Sequence, residues 1–291
     1  RVVPDTQLWS WPTYGEPNVA PSWLFRVLLW PFWAAGGIDG IFAWRWITTL
    51  AAFGLLLAAA RRMGATGATP VLALVWCALL YRQRSQARPE TLVAVILAAQ
   101  FLLLETRRRW LDHPGAAAAP PWLAWALVPL ACAWANAHIS YYLFFVVGGA
   151  YLLDDLLASR RRAAGAPAAL ALALVASAAA SFVNPYGWRL LAQPFEYFFT
   201  LRHEEIFRII GELGPIDWPQ NLRNGLPALF TLIVIGAVVR ARRHGVDWAQ
   251  AVVLAVAIPQ AWTSQRFLGY MALLVAPFFA RYLTTKKMRI A

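Results

Sequence analysis

Long apolar stretches recur down this chain, and they limit what it can fold into more than any other feature. A run of about 17–25 apolar residues, wound as an α-helix, matches a hydrocarbon core of about 30 Å. Nine candidates are read at 38–60, 68–82, 89–105, 122–137, 139–157, 167–183, 225–240, 246–262 and 266–283, with 68–82 and 89–105 on the short side. Of 291 residues, 60% are hydrophobic and 14% charged, against about 45–50% and about a quarter in an ordinary soluble domain. That balance excludes a single water-soluble globule and a disordered or collagen-like chain. A transmembrane barrel shows short alternating segments instead. The expected fold class is therefore all-α: a polytopic transmembrane helical bundle, one domain over 1–291.

Charge gives the bundle an orientation. The net charge is +12, which in a soluble protein would point to nucleic acid. Here no nucleic-acid partner is expected, because 14 of the 26 Lys and Arg residues lie in five short clusters between apolar runs. These are Arg61-Arg62, Arg107 to Arg109, Arg160 to Arg162, Arg240/Arg242/Arg243 and Lys286/Lys287/Arg289. They follow the first, third, fifth, seventh and ninth runs, as the positive-inside rule expects of cytoplasmic ends. Residues 1–37 then fall outside. With no apolar run ahead of Arg1, an N-terminal span preceding this chain is expected. Within 1–37, the stretch 22–35 is aromatic and interrupted by Arg26 and Pro31, and reads as a helix lying in the interface. Residues 38–183 form core spans, 184–224 a long external loop, and 225–291 the C-terminal spans.

Most other polar residues lie at the outer level, where polar groups at membrane depth are expensive and tend to be functional. Arg82, Arg84 and Arg88 break the positive-inside pattern. Arg88 precedes Pro89, which biases it towards extended backbone. Guanidinium forks bind phosphate in a bidentate manner, so this cluster suits a lipid phosphate; simple snorkelling to headgroups is the alternative. Arg266 is either a second phosphate ligand or an interfacial anchor. Glu90, Asn136 and His138 share the outer level. His138 either contacts substrate or caps a helix C-terminus. Asp5 is either a general base for a hydroxyl or a turn-capping loop residue. Cys77 and Cys132 lie inside apolar runs and read as small buried hydrophobes. No metal-ligand spacing and no phosphate-cradling glycine loop occurs.

The order of several short motifs resembles a bacterial family of GT-C-type integral membrane glycosyltransferases, distantly like protein O-mannosyltransferases and aminoarabinose transferases. The motifs are Asp5 in a Pro/Asp loop, Gly15-Glu16-Pro17, Pro21-Ser22-Trp23-Leu24, Gly36-Gly37 and Arg88-Pro89. Trp134-Ala135-Asn136-Ala137-His138, Asn184-Pro185-Tyr186-Gly187 and Ser264-Gln265-Arg266-Phe267 ahead of Pro277 follow.

The resemblance implies inverting transfer of a sugar from a polyprenyl-phosphate donor to a hydroxyl on a glycan, lipid or protein. The reaction is placed on the outer face of a bacterial inner membrane. Asp5 holds the place of the catalytic base, and Arg82, Arg84, Arg88 and Arg266 that of ligands for the departing lipid phosphate, an electrostatic task. Some relatives carry a second acid beside the Asp, whereas Thr6-Gln7 follow here, so neither metal nor other cofactor is expected. Two other classes stay open: a transporter or flippase of a lipid-linked or anionic solute, and a non-catalytic membrane subunit that binds a lipid carrier.

Overall fold

Gly37 divides the first long helix. In the computed structural model, which describes residues 6, 14–15, 18–82, 85–113, 119–158, 165–205 and 209–283, helix α1 spans Trp23–Arg62 but is broken at Gly37 (φ 53°, ψ −126°). That backbone region is open essentially to glycine alone. The segment 23–36 therefore leaves the axis of 38–62 and folds back. At the corner the chain approaches itself so closely that a Cβ on Gly40 would lie 1.8 Å from the Phe32 carbonyl oxygen. Trp44 fills the angle. Phe25 and Phe32 meet its ring edge-on, with centroids 5.8 and 5.3 Å away, and its Nε1–H donates to Thr91 Oγ1 at 2.8 Å. The expected division into a lateral helix near 22–35 and a long helix from 38 coincides with this break.

The remaining helices follow the apolar runs. They are α2 (Thr69–Tyr81), α3 (Pro89–Leu111), α4 (Trp122–Trp125), α5 (Leu127–Ala137) and α6 (Tyr142–Leu157). Then come α7 (Ala166–Ala180), α8 (Trp188–Phe199), α9 (Trp218–Leu222), α10 (Leu226–His244), α11 (Trp248–Thr263) and α12 (Leu268–Tyr282). Proline sits in the first turn of α2, α3, α7, α9 and α10, where its missing N–H has no helical partner to lose. The described chain is helical apart from its connections. Three helical stretches are long and apolar enough to cross a membrane: Trp23–Arg62, Pro89–Leu111 and Ile139–Leu157.

The last helix is the core of the bundle. Every residue of α12 from Leu268 to Ala280 is buried, enclosed by α2, α11, α1 and α10. Such all-round burial suits a helix that is apolar on every face. Helix α3 packs along α1 and α5, and α5 along α7. On the perimeter the pattern inverts. Phe42, Trp46, Ile47 and Leu50 on α1, Leu72, Val75 and Leu79 on α2, and Val234, Ile235 and Val238 on α10 are exposed. An apolar surface of that extent is costly in water and costs nothing against lipid tails.

Helix α3 spaces two polar layers. Glu90 lies in its first turn and Glu105 to Arg108 near its end, roughly 25 Å apart at 1.5 Å per residue. In the layer around Arg107, the Arg107–Asp155 ion pair is almost wholly buried, with side chains 4% and 3% exposed. Arg107 also donates to the Ala166 carbonyl. Arg108 reaches Glu105, Asp154 and Asp247, at 3.5, 3.3 and 3.1 Å, and Tyr151 donates to Glu105. Arg240 and Arg281 also converge on Asp247. Arg107, Arg108 and Arg240, expected from the positive-inside pattern at cytoplasmic ends, are also ion-paired cations tying α3, α6, α10 and α12 to the start of α11.

Candidate functional site

The opposite layer is built from the connections at the start of α3, the α5–α6 junction and the α11–α12 junction. Arg88 is extended (φ −121°, ψ 161°) and precedes the proline that opens α3, as the Arg-Pro pair predicts. Its carbonyl accepts from Thr91 Oγ1 at 2.7 Å. This closes the helix start and turns Glu90 inward, where it is 4% exposed.

Helix α5 ends at Ala137, and His138 adopts extended backbone before a single 3-10 turn, Ile139–Tyr141. The Ser140 backbone N–H donates to His138 Nδ1 at 3.1 Å. Because Nδ1 accepts that bond, the hydrogen-bond network assigns the ring proton of the neutral imidazole to Nε2. That nitrogen faces Glu90 Oε1 at 3.9 Å. Ser140 Oγ lies 2.8 Å from His138 Nδ1, donates to the Tyr270 hydroxyl at 3.1 Å and accepts from Trp134 Nε1–H at 3.2 Å. Tyr270 in turn lies 3.2 Å from Nδ1. The imidazole is held from one side by Ser140 and Tyr270 and presents its other nitrogen to a carboxylate.

Arg266 completes the group. It sits in the 3-10 turn Gln265–Phe267 between α11 and α12, with Nη2 3.9 Å from the same Glu90 oxygen. Its side chain is 30% exposed against 5% for Glu90, so the guanidinium opens outward over a buried acid. The long loop closes on the same turn: Gln265 N–H donates to the Gly214 carbonyl at 2.9 Å and Ser264 Oγ to the Glu212 carbonyl at 3.4 Å. Glu212 also pairs with Arg88 at 3.3 Å, both side chains roughly two-fifths exposed.

Over the Arg266 turn lies α8, with one strongly apolar face. Phe198 stacks on Phe267, centroids 6.4 Å apart, and meets Tyr142 edge-on at 5.7 Å. His138, Arg266 and Tyr270 line the inner recess under this aromatic wall. A cleft of about 260 Å³ continues outward between Tyr197, Phe198, Arg202, Leu213 and Ser264. Arg266 and His138 line only the inner recess, which is about 30 Å³, while the larger cleft shares its Tyr197, Phe198 and Phe267 wall. The arrangement sets one partly exposed guanidinium beside an aromatic-walled opening, a setting that suits an anion.

The sequence-predicted site residues separate into groups. Glu90, His138 and Arg266 come together, with Arg88 nearby through Glu212. Asn136 shares their level but is engaged structurally: Oδ1 accepts from Trp23 Nε1–H at 2.8 Å, and Nδ2 donates to the Cys132 and Val183 carbonyls at 2.8 and 2.9 Å. It locks the folded-back arm of α1 to α5 and to the end of α7. Arg82 caps α2 with its side chain exposed, and its carbonyl accepts from Ser85. Asp5 and Arg84 lie outside the described residues. Sequence reasoning did not single out Tyr270, Tyr142 or Gln260. Each sits within an apolar helical run, and only a polar partner in the fold marks them: buried Tyr270 with Ser140, and part-buried Tyr142 with Gln260, whose Nε2 donates to its hydroxyl at 3.5 Å. Among the described residues no three His, Cys, Asp or Glu side chains converge in a metal-binding group. The chain matches no known protein family, no curated protein and no solved structure.

Proposed function

We propose that the chain transfers a sugar from a polyprenyl-phosphate donor to a hydroxyl acceptor, whether glycan, lipid or protein, at the outer face of a bacterial inner membrane. The observation that carries this reading is Arg266, a partly exposed guanidinium above buried Glu90, next to an aromatic-walled cleft. In the proposed arrangement nine spans alternate across the bilayer, with 1–37 and 184–224 outside. Arg266 and Arg88, with Arg82 and Arg84, bind the lipid phosphate and stabilise the charge it gains as the glycosidic bond breaks. Asp5 takes the proton of the acceptor hydroxyl as its oxygen attacks the anomeric carbon. The aromatic side chains of α8 offer stacking faces to the sugar, and Glu90 and His138 hold Arg266 in place from below.

The test uses the full-length protein in vesicles with radiolabelled polyprenyl-phosphate sugars, following labelled product and released lipid phosphate. Turnover by wild type, loss in Asp5→Asn and a fall of about 10²–10³ in Arg266→Ala are expected. Donor binding without turnover in any of these proteins would overturn the reading in favour of a carrier-binding or flipping protein. Full turnover by Asp5→Asn would remove the role given to Asp5.

A further inference from the structure

Among the described residues, the polar layer at the other end of the bundle carries more arginine than its own acids neutralise. Asp247 is shared by three guanidinium groups, those of Arg281, Arg108 and Arg240, at 2.9, 3.1 and 3.6 Å. Glu105 is already engaged by Arg108 and Tyr151. The Nε atoms of Arg240 and Arg281 are buried and have no hydrogen-bond partner among the described residues. Beside this network two clefts of about 340 and 490 Å³ share Met63, Arg240 and Arg281 as a common wall. Arg62 and Arg109 line the first and Arg243 the second. All three are exposed and, among the described residues, take no part in the ion-pair network. Glu105 and Asp112 are the acids on these walls, facing five arginines besides Arg108.

We infer that the double cleft between Arg62, Arg109, Arg240, Arg243 and Arg281 binds a phosphate-bearing anion. Planar guanidinium forks match phosphate oxygens in pairs, and a basic recess between helices at a bundle end is the setting in which anionic headgroups are held. The inner, part-buried rank of the site, Arg240 and Arg281, is preset by Asp247 and Gln250, the latter accepting from Arg281 Nη2 at 2.8 Å. The outer rank, Arg62, Arg109 and Arg243, supplies exposed charge. A lipid headgroup and a free phosphate share this chemistry. The site lies at the far end of α3 from Arg266, so it stands or falls separately from the transfer reaction.

The experiment reconstitutes the full chain in phosphatidylcholine nanodiscs. It measures binding of phosphatidate, doped into the disc, and of inorganic phosphate, added to the buffer. The double variant Arg62→Gln/Arg243→Gln is compared with Arg189→Gln/Arg223→Gln, which removes the same charge from exposed positions away from the cleft. Affinity should fall roughly fivefold for each cleft arginine removed and hold in the control. Phosphatidate binding alone identifies a lipid headgroup, and competition by inorganic phosphate a soluble ligand. Equal affinity in both double variants, or no binding of either probe by wild type, would overturn the inference. Should the cleft variant not fold, arginine modification by phenylglyoxal in wild type gives the same answer: phosphate or phosphatidate must protect Arg62 and Arg243.

Discussion

Asp155→Leu should be among the most damaging single substitutions in this protein, and adding Arg107→Met should rescue most of the loss. The pair is nearly sealed from solvent, at 4% and 3% side-chain exposure. Removing the carboxylate therefore leaves a guanidinium buried without a counter-charge, which costs about 3–5 kcal/mol. Replacing both partners with apolar side chains of similar size is commonly neutral or stabilising by about 1–4 kcal/mol. Here the double variant also strips the Ala166 carbonyl of the Arg107 donor, a loss of about 1–3 kcal/mol. The two effects offset, so the double variant should lie within about 2 kcal/mol of wild type, and the coupling energy should reach about 3 kcal/mol. Equilibrium unfolding by sodium dodecyl sulfate in mixed micelles, followed by helix content, yields all four corners of the cycle. A coupling below about 1 kcal/mol, the range of exposed pairs, would refute the structural role of Arg107 and return it to a charge held at the membrane surface.

Three other expectations follow from single contacts. Gly37→Ala forces a side chain into a backbone region reserved for glycine and should destabilise the α1 corner by about 1–3 kcal/mol, read in the same titration; an unchanged midpoint would mean that the corner is not held at that angle. Asn136→Ala removes the side-chain donor to the Cys132 and Val183 carbonyls and leaves the Trp23 indole N–H without its acceptor. It should cost about 1–3 kcal/mol and expose the Trp23 arm to limited proteolysis, whereas resistance equal to wild type would show that Phe25 and Phe32 suffice to dock it. Glu90→Gln removes the acid between His138 and Arg266 and should weaken donor binding while sparing the fold. A variant that binds donor as wild type does would place Arg266 outside the binding step.

Helix positions were largely legible in the chain because their causes are local. Apolar runs ended by Pro and Gly set the segments. Pro89 opens α3, and Gly37 breaks α1 between the aromatic, Pro-interrupted stretch 22–35 and the apolar run from 38 that the sequence had set apart. The Asn184-Pro185-Tyr186-Gly187 signal likewise became a turn, with Asn184 Oδ1 accepting the Tyr186 N–H at 2.8 Å and Nδ2 donating to the Gly187 carbonyl. The same local logic could not show that Arg107 and Arg108 are ion-paired inside the bundle. A cluster of arginines after an apolar run reads as an anchor unless the acids that bury it are known, and Asp155 and Asp247 lie 48 and 139 residues further along.

By itself, the sequence determined that this chain is helical, where its long apolar helices run, and which short segments between them concentrate polar groups. Those properties depend on periods of a few residues and on composition. Only the tertiary structure decided that Glu90 lies between His138 and Arg266, that Asn136 holds Trp23 rather than facing the cleft, and that α12 is the centre of the bundle. Each of these is a choice among many apolar faces of similar chemistry, settled by which side chains interlock when the helices pack. Hydrophobicity drives the helices together without direction; shape and the pairing of the few buried polar groups select the partners.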